Sequence, residues 1–205
     1  MATTSKTDVS GDEAKFKILA EVTTSAIFIY QGTRFKYANP AMERLTGFSR
    51  LELQGMSFYH LFPSDARKTL RSLGLRLQHG EWVELHSELR LIKKSGEECW
   101  IDLTTTVIEY FAKPAMVGTA FDITDRKRAE LLQDAVYRIA QAADRSKRLE
   151  DLFPAIRTIV GEVMTAKNFY IALKNQEDDT ITYPYYVDEY DPPPVEAHKP
   201  GKGLT

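Results

Sequence analysis

A single cysteine, Cys99, in a chain of 205 residues excludes an internal disulfide and any site built from several thiolates. There is no surplus of positive charge: 27 Lys and Arg against 29 Asp and Glu leave a formal net charge of −2. A general grip on nucleic acid needs a basic excess, so none is expected. Long apolar runs are missing too. None is longer than Ala26–Tyr30, which falls far short of the roughly 20 residues that span a bilayer. Residues 1–17 hold no apolar signal-peptide segment. Together these absences predict a cytoplasmic protein, or the cytoplasmic side of a larger receptor.

Chemistry-bearing clusters are scarce as well. The four histidines, His60, His79, His86 and His198, are scattered and lack carboxylate or thiol companions at ligand spacing, so no metal site is expected. Gly201-Lys202-Gly203 is too short for a phosphate cradle and follows no strand. No Ser/His/Asp or Cys/His arrangement stands out. Glu177-Asp178-Asp179 is a solvated turn. These residues therefore predict no catalysis within this stretch of chain.

What is present is a real core and a clear order of elements. Hydrophobic residues make up 43%, enough for packing. Residues 1–13 are polar and predicted to be flexible. Asp12–Val22 has helical spacing, with Phe16, Leu19 and Ala20 on one face. Two short β-like runs, Ala26–Tyr30 and Arg34–Ala38, flank Gln31-Gly32-Thr33. Asn39-Pro40 reads as a helix start, with Asn as the cap and Pro in the first turn. Breaks at Gly47, Gly55 and Pro63 separate short helical pieces. Ser64 or Asp65 caps a longer helix reaching about Gln78. Leu85, Ser87, Leu89 and Leu91 alternate with polar residues. After the turn Lys94–Glu97, Ile101, Leu103, Thr105 and Val107 share one face. Ala112-Lys113-Pro114 then precedes a last strand, Ala115–Ile123. Strands and helices are segregated, which predicts an α+β fold with an antiparallel sheet.

From Asp125 the pattern changes. Arg126 to about Ala143 lacks Gly and Pro, and Ala129, Leu132, Val136, Ile139 and Ala143 form one stripe. A second helix, Leu149–Met164, and two β-like runs, Asn168–Leu173 and Thr180–Val187, follow.

Several segments carry a family resemblance. Tyr37-Ala38-Asn39-Pro40-Ala41, Leu45-Thr46-Gly47-Phe48-Ser49 and Leu61-Phe62-Pro63-Ser64-Asp65 resemble the front half of a PAS domain. Lys94–Glu97 with Trp100-Ile101-Asp102 resembles its following hairpin. Gly118–Glu130, containing Asp122-Ile123-Thr124-Asp125-Arg126, resembles its end. The resemblance implies a five-stranded antiparallel sheet with helices on one face over residues 14–125. It also implies a linker or signalling helix over 126–145. Residues 146–205 more loosely resemble the start of a GAF domain, truncated before its remaining strands and helices. The implied function is that of a sensory input module in a bacterial signalling protein, with a downstream effector domain outside this chain. Two alternatives stay open: a part of a histidine kinase or cyclic-dinucleotide enzyme, or a ligand-free dimerisation module.

The resemblance also supplies candidate site residues. Signal relay falls to Asp122, Ile123, Thr124 and Arg126, where Asp122 or Thr124 can cap the outgoing helix. A small-molecule pocket, if present, is lined by Ile27 or Phe28, His60, Ser87, Leu89, Leu91, Ile101, Leu103, Thr105, Val107 and Ala120. Ser87 and Thr105 are its polar handles. The cofactor is not identified. Thiol-adduct flavin chemistry is disfavoured, because Phe58 stands where relatives place the reactive Cys and Ala120 where they place a Gln. Haem is disfavoured because Thr69 takes the position of the ligating His; no cofactor at all is one expectation. Leu132, Val136 and Ile139 are expected to be buried against the next helix or across a parallel homodimer.

Overall fold

The computed structural model describes residue 15 and residues 18–32, 34–78, 85–146 and 148–192. Period-two patterning builds its sheet. Ala26, Phe28 and Tyr30 are buried on strand β1 (Ala26–Gln31), and their neighbours are only half-buried. Phe35 and Ala38 are the buried residues of β2 (Arg34–Ala38). Gly32, at φ +65, supplies the left-handed backbone of the turn between them. Three longer strands complete the sheet: β3 (Leu85–Ile92), β4 (Glu98–Tyr110) and β5 (Lys113–Asp122). The order is β2-β1-β5-β4-β3, antiparallel throughout. The last strand therefore lies at the centre, and the junction that leaves it starts from the middle of the sheet.

Between β2 and β3 run α1 (Pro40–Thr46), α2 (Arg50–Gly55), a 3₁₀ turn (Phe58–Leu61) and α3 (Ser64–Gln78). Asn39 starts this segment and is fully buried. Its Oδ1 accepts from the backbone N–H of Met42 (3.0 Å) and of Ile27 (2.9 Å). Its Nδ2 donates to the carbonyls of Ala20 (2.8 Å) and Ser25 (2.9 Å). One amide thus caps α1 and pins the N-terminal segment to β1. Ser49 and Glu52 form a reciprocal capping box at α2. The core packs Phe28, Phe35, Phe58, Phe62, Leu53 and Leu61 against Leu91, Ile101 and Leu103 of the sheet.

Some expectations need correction. Among the described residues of that helical stretch, Leu19 is exposed and Ala20 is buried. Ser64 is the first residue of α3 rather than its cap. β5 begins at Lys113 rather than after Pro114, because the turn is only Phe111 and Ala112, at φ 51 and 55. Pro114 is tolerated because it pairs only with Glu109 of β4; the pairing of β5 with β1 starts at Met116. His79, His198 and the terminal Gly-Lys-Gly lie outside the described residues.

The chain divides into two compact units, residues 1–127 and 128–205. Helix α4 (Thr124–Arg145) begins in the first and continues into the second. In the second unit, α5 (Leu149–Val163) buries Phe153 and Ile159. The hairpin of β6 (Phe169–Lys174) and β7 (Ile181–Val187) places Tyr185 beside Phe153 and Phe169. Both guanidinium arms of Arg138 hold Glu162. Among the described residues no helix is long and apolar enough to cross a membrane.

Candidate functional site

The most constrained polar arrangement is where β5 becomes α4. Only Ile123 separates the two elements. Its N–H donates to the carbonyl of Trp100 (2.9 Å), and its carbonyl accepts the N–H of Lys127 (2.9 Å). The Trp100 N–H donates to Oγ1 of Thr124 (3.0 Å). Asp122 Oδ1 accepts from the N–H of Thr124 (2.9 Å). Of the two caps the sequence allows, Asp122 or Thr124, Asp122 is the one that accepts a helix N–H. Thr124 does something else: its hydroxyl oxygen is turned to β4 and ties the first residue of the helix to the neighbouring strand.

Charge adds a second tie. Glu88 on β3 receives Arg126 (2.7 Å) on one oxygen and the Lys127 ammonium on the other. The Lys127 and Arg126 hydrogen bonds hold its carboxyl down at about 2, against an ordinary value of 4.5. The Lys127 ammonium also sits 5.4 Å from the centre of the Trp100 ring. Three strands therefore converge on one helix start: β3 through Glu88, β4 through Trp100 and β5 through Asp122.

The sequence points to Asp122, Ile123, Thr124 and Arg126 here, but not to Glu88, Trp100 and Lys127 as a set. A signal existed. Glu88 lies directly across from Asp102 in the ladder. Two carboxylates facing each other on one sheet surface call for a cation nearby.

The candidate pocket residues divide. Phe28, Leu91, Ile101, Leu103, Thr105 and Ala120 are buried, and Ser87, Leu89 and Val107 are half-buried. Ile27 is corrected: β1 alternation puts Phe28 inward and Ile27 on the other surface. His60 is corrected as well. It is exposed at the 3₁₀ turn, while Phe58 and Leu61 of the same turn face inward. The interior is occupied by aromatic rings. Phe28 lies 5.7 Å from Phe35 and 5.3 Å from Phe58, centre to centre. A Cβ added at Gly118 would lie 2.4 Å from the tip of the Phe28 ring; the glycine is what leaves room for that ring. Cys99 is buried too, and desolvation pushes its thiol up to about 11. On α4, Leu132 and Val136 are 55% and 66% exposed and Ile139 is half-buried. The next helix of this chain therefore does not cover the stripe at its first two positions.

A family model described as the PAS fold matches residues 35–120. Over that stretch the chain is similar to PAS domains. PAS domains are typically non-catalytic sensory modules. Over 167 residues the chain is 23% identical to the sensor histidine kinase TmoS of Ectopseudomonas mendocina, a match that takes in 78% of this chain and 17% of that protein. The chain thus spans about a sixth of the length of the curated relative it matches. Among solved structures, a domain of a sensory box sensor histidine kinase/response regulator from Geobacter sulfurreducens is 18% identical, with a TM-score of 0.47, over 58% of this chain and all of that one. An RNA-binding light-oxygen-voltage receptor is 22% identical, also at 0.47, over 62% of this chain and 36% of that one.

Proposed function

We propose that this chain is the sensory input segment of a cytoplasmic bacterial signal-transduction protein. The state of the PAS domain passes through the Asp122–Lys127 junction into α4. Residues 146–205 are the start of a GAF domain, and an output domain acts downstream. The observation that carries the reading is the triple attachment of the α4 start to β3, β4 and β5. A change in the relative position of these strands alters several bonds at one helix turn, and a rigid helix carries the change along its length. The exposed Leu132 and Val136 suit a second copy of α4, so the signalling unit is a parallel homodimer. Similarity to a sensor histidine kinase supports a kinase as the downstream partner.

Replacing Asp122 and Thr124 together by Ala in the full-length protein tests this. Output should persist but lose its dependence on the stimulus. A normal stimulus response would sink the reading. The filled interior around Phe28 favours one competing version, a PAS domain that dimerises without an internal ligand. An absorption spectrum and native mass of the purified chain distinguish them: colour or excess mass per protomer removes the ligand-free version.

A further inference from the structure

A cavity lies away from the filled interior, at the edge of the sheet, where the start of α3 faces β3 and β4. It is open to solvent and has a volume of about 290 Å³. Pro63, Ala66, Leu89 and Trp100 give it apolar walls, and Asp65 and Glu88 bring two carboxylates. Arg90 also reaches it, paired with Asp65 (2.8 Å) and Glu98 (3.3 Å), so Glu88 is the carboxylate that faces the indole without Arg90. An indole face beside a carboxylate is the chemistry that recognises an organic cation. One cation is already held by this pair of side chains. The Lys127 ammonium rests over Trp100 and ion-pairs with Glu88. Trp100 and Glu88 thus serve at once as pocket wall and as helix anchor.

The geometry points to a binding site for a small organic ammonium ion with an apolar body, which competes with Lys127 for Trp100 and Glu88. Lys127 is the tethered occupant. The apolar body of the incoming ion lies against Pro63, Ala66 and Leu89, contacts that a lysine rooted in α4 does not supply. Binding replaces the Lys127 contacts and loosens the first turn of α4. The consequence for signalling rests on the junction reading above; the site itself does not.

The test uses the whole chain. Phenethylammonium and n-butylammonium chloride are titrated in, and the indole N–H resonance of Trp100, assigned through Trp100→Phe, is followed. Phenethyl alcohol and hydrocinnamate serve as the neutral and anionic controls. A saturable shift is expected with the ammonium ions only. Removing the tethered competitor by Lys127→Gln should lower the half-saturation concentration about fivefold or more. The exposed change Glu88→Gln should weaken binding by a similar factor. Failure of either ammonium to give a saturable shift, in the wild type and in Lys127→Gln alike, overturns the site. An equal response to phenethyl alcohol or hydrocinnamate overturns it too. Amide exchange over residues 124–130 is read in the same samples. Binding with faster exchange supports the coupling, while binding with unchanged exchange overturns the relay reading and leaves the site intact.

Discussion

Gly118→Ala is a one-carbon change whose cost follows from distances in the core. The added Cβ would meet Phe28 Cζ at 2.4 Å, Cε1 at 2.7 Å and Thr105 Cγ2 at 2.9 Å. Ordinary carbon contacts lie at about 3.5–4.0 Å, so the ring must move by roughly 1 Å. Phe28 has no easy retreat. It is fully buried and packed against Phe35 and Phe58. Overpacking of this kind costs about 1–3 kcal/mol, and the pinned ring puts this case at the upper end. Phe28→Ala alone removes a buried aromatic ring and costs about 3–5 kcal/mol. In that background only the Thr105 Cγ2 contact at 2.9 Å is left. Ala in a strand is better than Gly by about 0.5–1 kcal/mol, which offsets that remaining contact, so there Gly118→Ala costs little. The two changes together should therefore show a coupling of about 2 kcal/mol or more. Urea unfolding of the four proteins, compared at matched m-values, measures it. Additivity within about 0.5 kcal/mol would refute the account of a core closed by Phe28 over Gly118.

Three other outcomes follow from the same structure. Asn39→Ala removes a fully buried amide that satisfies two backbone donors and two carbonyls, and should lower unfolding stability by about 2–4 kcal/mol; an unchanged urea midpoint contradicts it. Glu88 has its folded-state carboxyl lowered from 4.5 to about 2. Its contribution is therefore fully present above the unfolded value and is lost as pH falls through the window from about 4.5 to about 2. Amide exchange at the start of α4 should accelerate in that window, and Glu88→Gln should flatten the dependence. Cys99 is buried with a thiol raised to about 11, so iodoacetamide at mildly alkaline pH should label it only after unfolding. Rapid labelling of the native protein would show that the strand start is open.

Much of this architecture was legible in the sequence, for reasons that differ by element. The alternation of Leu85–Leu91 and Ile101–Val107 reveals strands because each has one buried face. Asn39-Pro40 reveals a helix start because capping chemistry is local. The turn at Phe111 and Ala112 was not legible, since neither residue advertises a positive φ; Pro114 looked like the break instead. The inward choice between Ile27 and Phe28 also stayed open, because both are apolar and register is set by the partner strands. The junction shows the same division. Asp122 as a cap is a local feature. The bond from Trp100 to Thr124 and the two cations on Glu88 join residues 24, 38 and 39 positions apart, and only the sheet order brings them together. What covers the front of α4, the next helix or a second copy, stays open in the sequence, because a helical stripe records which residues share a side, not what covers them.

In the proposed relay, strain in the core of the first unit reaches α4 through Asp122 and Thr124. Hydrogen exchange of the amides of residues 124–131 measures this when the core is perturbed at a distance by Phe58→Leu. The account predicts that this change alters helix protection in the wild-type background and leaves it unaltered when Asp122→Ala and Thr124→Val are present. Protection that ignores the core change, or that responds equally in both backgrounds, would contradict it.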